Sequence, residues 1–180
     1  MIDKIEAPEN MLRCMSNSYS ASGFWRSWHR SFNRWILRYI YIPLGGSKRS
    51  IPNTFIVFTF VALWHDLSFK LLTWGWLIAL FIIPELVATA LFPAKIWAEI
   101  PWYRHLCAVG AVLNLVIMMV ANLIGFCLGV DGMKSMLKEI LSSWRGIGFF
   151  VSALGALFVG VQVMFEYREE EKRKGIYLKC

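Results

Sequence analysis

Leu71-Leu72-Thr73-Trp74-Gly75-Trp76-Leu77-Ile78-Ala79-Leu80-Phe81-Ile82-Ile83-Pro84-Glu85-Leu86-Val87-Ala88-Thr89-Ala90-Leu91-Phe92 is an apolar run whose one charge is Glu85. As a helix these 22 residues reach about 33 Å, enough to cross the ~30 Å hydrocarbon core of a bilayer. Pro84 predicts a kink, and Glu85 a buried or interfacial carboxylate, since an ionisable group at membrane depth is costly to keep. Three more apolar segments flank this run. Residues 51–64 are short for a span. Residues 106–130 contain Asn114 and Asn122, which predict hydrogen bonds between helices. Residues 147–165 contain Gly148, Gly155 and Gly160, which allow close helix approach, although no G-x-x-x-G pair occurs there. The fold class is therefore all-α: a polytopic transmembrane helical bundle of about four hydrophobic segments, plus an N-terminal amphipathic interfacial helix.

Composition agrees. The chain is 57% hydrophobic and 17% charged, against about 45–50% and 25% in soluble domains. Mean hydropathy is +0.51. The net charge of +7 fits basic flanks facing anionic headgroups, so a nucleic-acid partner is not expected. Cys14, Cys107, Cys127 and Cys180 form no C-x-x-C pair, so neither a metal site nor a redox motif is expected. Cys107 and Cys127 read as small apolar fillers. Cys180 is the last residue and cannot head a prenylation box. Residues 1–10 show no apolar core of a signal peptide.

Four regions follow. Residues 1–21 are a polar connector. Residues 22–50 are an amphipathic basic helix and basic loop. Residues 51–165 hold the transmembrane helices. Residues 166–180 are a charged tail, with Glu169–Arg173 and Glu170–Lys174 as i,i+4 pairs. Within 22–42, Ser22 is a candidate cap, and Arg26, Arg30, Arg34 and Arg38 form one ridge. Trp25, His29, Phe32 and Ile36 form an aromatic and apolar stripe. Pro43, Gly45 and Gly46 stop the helix. If all four segments cross, the basic helix and the tail share the more cationic side, which the positive-inside bias places in the cytosol.

The chemistry-bearing residues are few. His65, in Trp64-His65-Asp66, sits at the end of an apolar run. Local residues leave two readings of it open. One is an interfacial histidine bonded to a backbone carbonyl. The other is a neutral imidazole that takes a proton from an attacking hydroxyl. Asp66 either orients His65 or solubilises a helix end. His29 is either a packing residue or a second polar group of the site. The arginines suit acyl-donor phosphates or lipid headgroups equally. Gly45-Gly46 reads as a helix stop or a phosphate cradle. Glu85 reads as a proton-relay carboxylate or as a group facing the bundle interior. His105 falls in a loop.

Phe24-Trp25-Arg26-Ser27-Trp28-His29-Arg30-Ser31-Phe32-Asn33-Arg34-Trp35, then Tyr39-Ile40-Tyr41-Ile42-Pro43-Leu44-Gly45-Gly46, then Leu63-Trp64-His65-Asp66 resemble the membrane-bound O-acyltransferase family in order and spacing. The tail Tyr167-Arg168-Glu169-Glu170-Glu171-Lys172-Arg173 resembles its fungal glycerol-uptake branch. The resemblance covers most of the chain and only the C-terminal part of the family's longer bundle, so a fragment is expected. It implies that His65 matches the family's histidine base, and that His29 matches a second position held by Asp or Asn in other branches. It further implies acyl-CoA as co-substrate, with no resident cofactor, and a lipid acceptor such as a glycosylphosphatidylinositol (GPI) anchor. The implied setting is a multi-pass protein of the endoplasmic reticulum, among membrane lipids, with a cytosolic C-terminus. A glycerol transporter or transport regulator, and a non-catalytic membrane scaffold, stand as alternatives.

Overall fold

The apolar run at 71–92 becomes the helix against which the rest of the chain assembles. The structure is a computed structural model that describes residues 10, 11 and 14–177. Its α-helices are α1 (Ala21–Ser27), α2 (Arg30–Ile36), α3 (Ser50–His65), α4 (Phe69–Leu91), α5 (Ala94–Trp97), α6 (Tyr103–Asn122), α7 (Gly129–Ser142) and α8 (Trp144–Arg173). Wider π-type turns occupy Leu37–Tyr41 and Leu123–Leu128. The second of these follows α6 directly, and Gly129, at φ 71°, turns the chain at the start of α7. No strand occurs among the described residues.

Among the described residues, three helices are long and apolar enough to cross a membrane: Phe69–Leu91, Tyr103–Ser142 and Trp144–Arg173. With 16 residues, α3 reaches only about 24 Å. It forms a tight hairpin with α4, closed by Asp66 and Ser68. Ser68 caps α4 by accepting from the Leu71 amide. The two helices touch closely because Gly75 lacks a side chain: a Cβ there would lie 2.7 Å from the Phe58 carbonyl oxygen.

Buried residues of α4 recur as Leu71, Trp74, Ile78 and Ile82, a stripe at helical spacing. Phe58, Val61 and Ala62 of α3, Ala21 of α1, Ile36 of α2 and Ala121 of α6 complete this core. A second core joins α6 to α8 through Ala108, Ala111, Val112 and Val161. Arg104 reinforces it, donating from Nε to Gln162 (2.9 Å) and pairing with Glu166 and Glu169. Pro84 lies inside α4, which continues past it.

Several expectations are corrected. The amphipathic helix at 22–42 is two helices. Trp28 is extended and His29 is left-handed at φ 44°, which breaks the chain between α1 and α2. Asn10 makes that break tolerable. Its carbonyl accepts from the Arg30 amide (2.9 Å) and its side chain from the Ser31 amide (3.2 Å), filling two donors at the start of α2. The cap of α1 is Ser20, which accepts from the Gly23 amide, while the Ser22 hydroxyl serves Glu85. His105 lies in the first turns of α6, stacked on Phe158, not in a loop. Gly148, Gly155 and Gly160 make no close approach, since a Cβ on any of them meets nothing within 4 Å.

Other expectations stand. Asn114 and Asn122 both bond from α6 to α4. Glu170–Lys174 and Glu169–Arg173 are both paired. Gly45, at φ 104°, ends the basic segment in a conformation glycine adopts without strain. The first nine residues of the connector, residues 12 and 13, and Cys180 lie outside the described residues.

Candidate active site

His65 is the last residue of α3. Its ring is edge-on to three aromatic rings: Trp64 (5.0 Å between centroids), Trp74 (5.6 Å) and Phe126 (5.7 Å). The side chain is nonetheless exposed at one side. Aromatic edges pack the imidazole without bonding its nitrogens, so a proton-accepting nitrogen stays accessible. Asp66 does not orient it: its carboxylate accepts from the Leu67 amide at 2.7 Å and shapes the α3–α4 turn. Of the two readings of Asp66, the helix-end role is the one its bonding supports.

His29 sits at the left-handed corner, exposed, with its ring edge-on to Trp28 at 4.9 Å. Asn10 reaches its Nδ1 at 3.3 Å. Asn10 Oδ1 accepts from Ser31, so the Asn10 amide nitrogen faces His29 as a donor. Nδ1 of His29 is then the acceptor, and Nε2 carries the proton. The His29 corner and the end of α3 lie side by side.

An aromatic seam carries that proximity. Phe32, one turn beyond His29, packs on Trp64 (4.7 Å), the residue before His65. Trp25 packs on Phe58 (5.4 Å) and Trp74 (5.8 Å). Trp35 stacks on Phe60. The stripe read from the sequence therefore faces α3 and α4, with one exception: the break turns His29 out of it. Arg26, Arg34 and Arg38 are exposed and Arg30 is half-buried, so they remain free to meet anionic groups.

Glu85 is the best-bonded carboxylate of this region. It accepts from the Ser20 hydroxyl (2.6 Å), the Ala21 amide (2.7 Å), the Ser22 hydroxyl (2.7 Å) and the Asn114 amide (3.0 Å). A carboxylate on the N-terminus of α1 meets orphan amides and the positive end of the helix. Its role is structural: α4 holds the start of the segment that leads to His29.

The sequence did not single out Trp74, Phe126 or Asn10. Tryptophans are plentiful here, and nothing local marks Trp74 as the one beneath His65. Phe126 is aimed by the π-type turn, which has no sequence signature. A long-range cap such as Asn10 leaves none either.

Comparison with known proteins completes the description. The family model for MBOAT, the membrane-bound O-acyltransferase family, matches residues 3–130. The chain is 59% identical over its whole length to the membrane-bound O-acyltransferase GUP1 of Millerozyma farinosa and 56% identical to GUP1 of Saccharomyces cerevisiae. It covers 35% and 32% of those proteins, respectively. Over 72 residues, 38% of this chain and 14% of the relative, it is 35% identical to the mouse protein-cysteine N-palmitoyltransferase HHAT. The chain thus spans about a third of the length of its fungal relatives. Matched by the family model across most of its length, and built around three helices fit to cross a bilayer, this integral membrane chain belongs to the membrane-bound O-acyltransferase family.

Proposed function

We propose that this chain is the histidine-bearing part of a membrane O-acyltransferase that moves a fatty acyl group from acyl-CoA to a hydroxyl of a lipid acceptor. The observation that carries the reading is His65. It sits in the family's Trp-His pair, framed by aromatic edges with one side open and with the His29 helix packed beside it through Phe32 and Trp64. In this reading His65 takes the proton of the acceptor hydroxyl as its oxygen attacks the thioester carbonyl. The tetrahedral intermediate then collapses, expelling the CoA thiolate, which takes the proton back from His65. General base assistance of this kind contributes on the order of 10²–10⁴-fold. In the same reading the Nε2–H of His29 donates to an oxygen of the substrate.

A GPI-anchor lipid as acceptor, the endoplasmic reticulum as site and a cytosolic tail belong to the same proposal. They rest on likeness to the GUP1 proteins and on the cationic flanks. A glycerol-transport role would lean on Glu85, Asn114 and Asn122. All three are engaged in helix-to-helix bonds, which supports the transferase instead.

Because the chain matches about a third of its relatives, the test places it in the corresponding third of the Saccharomyces protein. Membranes carrying the chimera are assayed with radiolabelled acyl-CoA. Transfer by the chimera, abolished by His65→Ala at equal protein level, is the expected result. Transfer that survives His65→Ala overturns the assignment.

A further inference from the structure

The turn at Leu123–Leu128 is wider than an α-helix and lies between the end of α6 and a left-handed Gly129 (φ 71°) that opens α7. Such turns recur at functional sites because they re-aim side chains. Here the turn sends Phe126 against both His65 (5.7 Å) and Trp74 (5.1 Å). It also brings Gly125 so close to Trp74 that a Cβ would lie 2.6 Å from the indole Cβ and Cγ. Asn122, at the last position before the turn, accepts from Trp74 Nε1 at 3.0 Å and donates to the Met118 carbonyl at 3.0 Å. Lys70 donates to the Cys127 carbonyl within the turn at 3.2 Å. Trp74 is only 1% exposed. Its indole is fixed in plane by Asn122 and in depth by Gly125, and its edge-on contact fixes His65.

We propose that Trp74, Asn122 and Gly125 are positioning residues for the His65 imidazole, and that the π-type turn at the end of α6 is built to hold them. The inference rests on the reading of His65 as the base. Close packing accounts for Gly125, but it does not account for the polar bond: an apolar residue at 122 would fill the same space without fixing the indole. The Trp74–Asn122 bond removes the freedom of the indole to rotate, and with it the freedom of the ring that leans on it. A base must sit within about 3 Å of the proton it takes, and displacement by 1 Å costs on the order of 10²-fold.

The test uses the chimera described above, with purified protein and saturating acyl-CoA. Trp74→Phe keeps a ring under His65 and deletes the donor, whereas Asn122→Leu deletes the acceptor. Each is expected to lower kcat about tenfold with KM little changed, and the double variant to lose no more than either alone, because one bond is removed once. Gly125→Ala pushes the indole and is expected to cost about 10²-fold in kcat. If Gly125→Ala fails to fold, the two subtractive variants still decide the matter. Unchanged kcat in Trp74→Phe and Asn122→Leu, with His65→Ala inactive, overturns the positioning role and leaves His65 as base. A loss that only tracks the amount of folded protein overturns it equally. Transfer that survives His65→Ala overturns the base reading and this one with it.

Discussion

Replacing Glu85 by alanine should detach the start of α1 from α4. The carboxylate receives four short bonds, two from hydroxyls, one from the Asn114 amide and one from the backbone amide of Ala21. These donors differ in what they can do once it is gone. The Ser20 and Ser22 hydroxyls lie 3.4 Å apart and can rotate towards one another. Asn114 can turn. The Ala21 amide cannot: the residue is 1% exposed and its position is set by the helix. An orphaned buried amide costs about 1–3 kcal/mol. Loss of the charge at the helix start adds about 0.5–2 kcal/mol, as for a lost cap. Together Glu85→Ala should destabilise the protein by about 1.5–5 kcal/mol. Glu85→Gln keeps one carbonyl oxygen for the Ala21 amide and weakens the remaining bonds from charged to neutral strength, so about 1–2 kcal/mol is expected. Thermal unfolding of the detergent-solubilised protein should rank parent, Gln and Ala in that order. Limited proteolysis should meanwhile open the Trp28–His29 corner in the Ala variant. An unfolding midpoint for Glu85→Ala equal to the parent's, with an unchanged cleavage pattern, would refute the reasoning.

Two further outcomes follow from backbone geometry. Gly75→Leu drives a side chain into the Phe58 carbonyl, which the missing Cβ now lets within 2.7 Å. It should cost about 1–3 kcal/mol as overpacking, read as lost yield of folded protein after detergent extraction; a normal yield and midpoint would contradict the close α3–α4 contact. At the corner, His29→Gly relieves a left-handed conformation that costs a non-glycine residue roughly 1–2 kcal/mol, so it should unfold later than His29→Ala. Both should lose acyl transfer if the imidazole acts in it, and transfer retained by either would remove His29 from the chemistry.

The helical class was legible because membrane helices advertise themselves by length and apolarity, and 71–92 leaves no alternative. The bonding of Asn114 and Asn122 was legible too, since an amide in hydrocarbon must find a partner. The inward-facing reading of Glu85 has a basis in spacing. The residue extends the stripe Leu71, Trp74, Ile78 and Ile82 by one step, which places it on the inner face of α4. The break at His29 was not legible. The aromatic stripe from Trp25 to Ile36 has helical spacing throughout, and the residue that offsets the interruption, Asn10, lies far away in the chain. The close approach open to Gly148, Gly155 and Gly160 is not made, for a related reason. Small residues permit contact, but only a facing helix makes it, and only 6% of the apolar stretch of α8 is buried within this chain.

Trp74 and Glu85 are eleven residues apart on α4, about three helical turns, so they project from nearly the same face some 16 Å apart. Their partners on α6, Asn122 and Asn114, are eight residues apart and run the other way. One antiparallel helix pair is thus pinned by a polar bond at each end, with apolar packing between. From one pin hangs the segment that leads to His29. On the other rests the ring that contacts His65. A rigid α4 therefore carries the distance between the two histidines, although neither lies on it. Apolar contacts along the seam are non-directional and would tolerate sliding. The two bonds are not and would not, so the register of α4 against α6 is the quantity on which the geometry of the site depends.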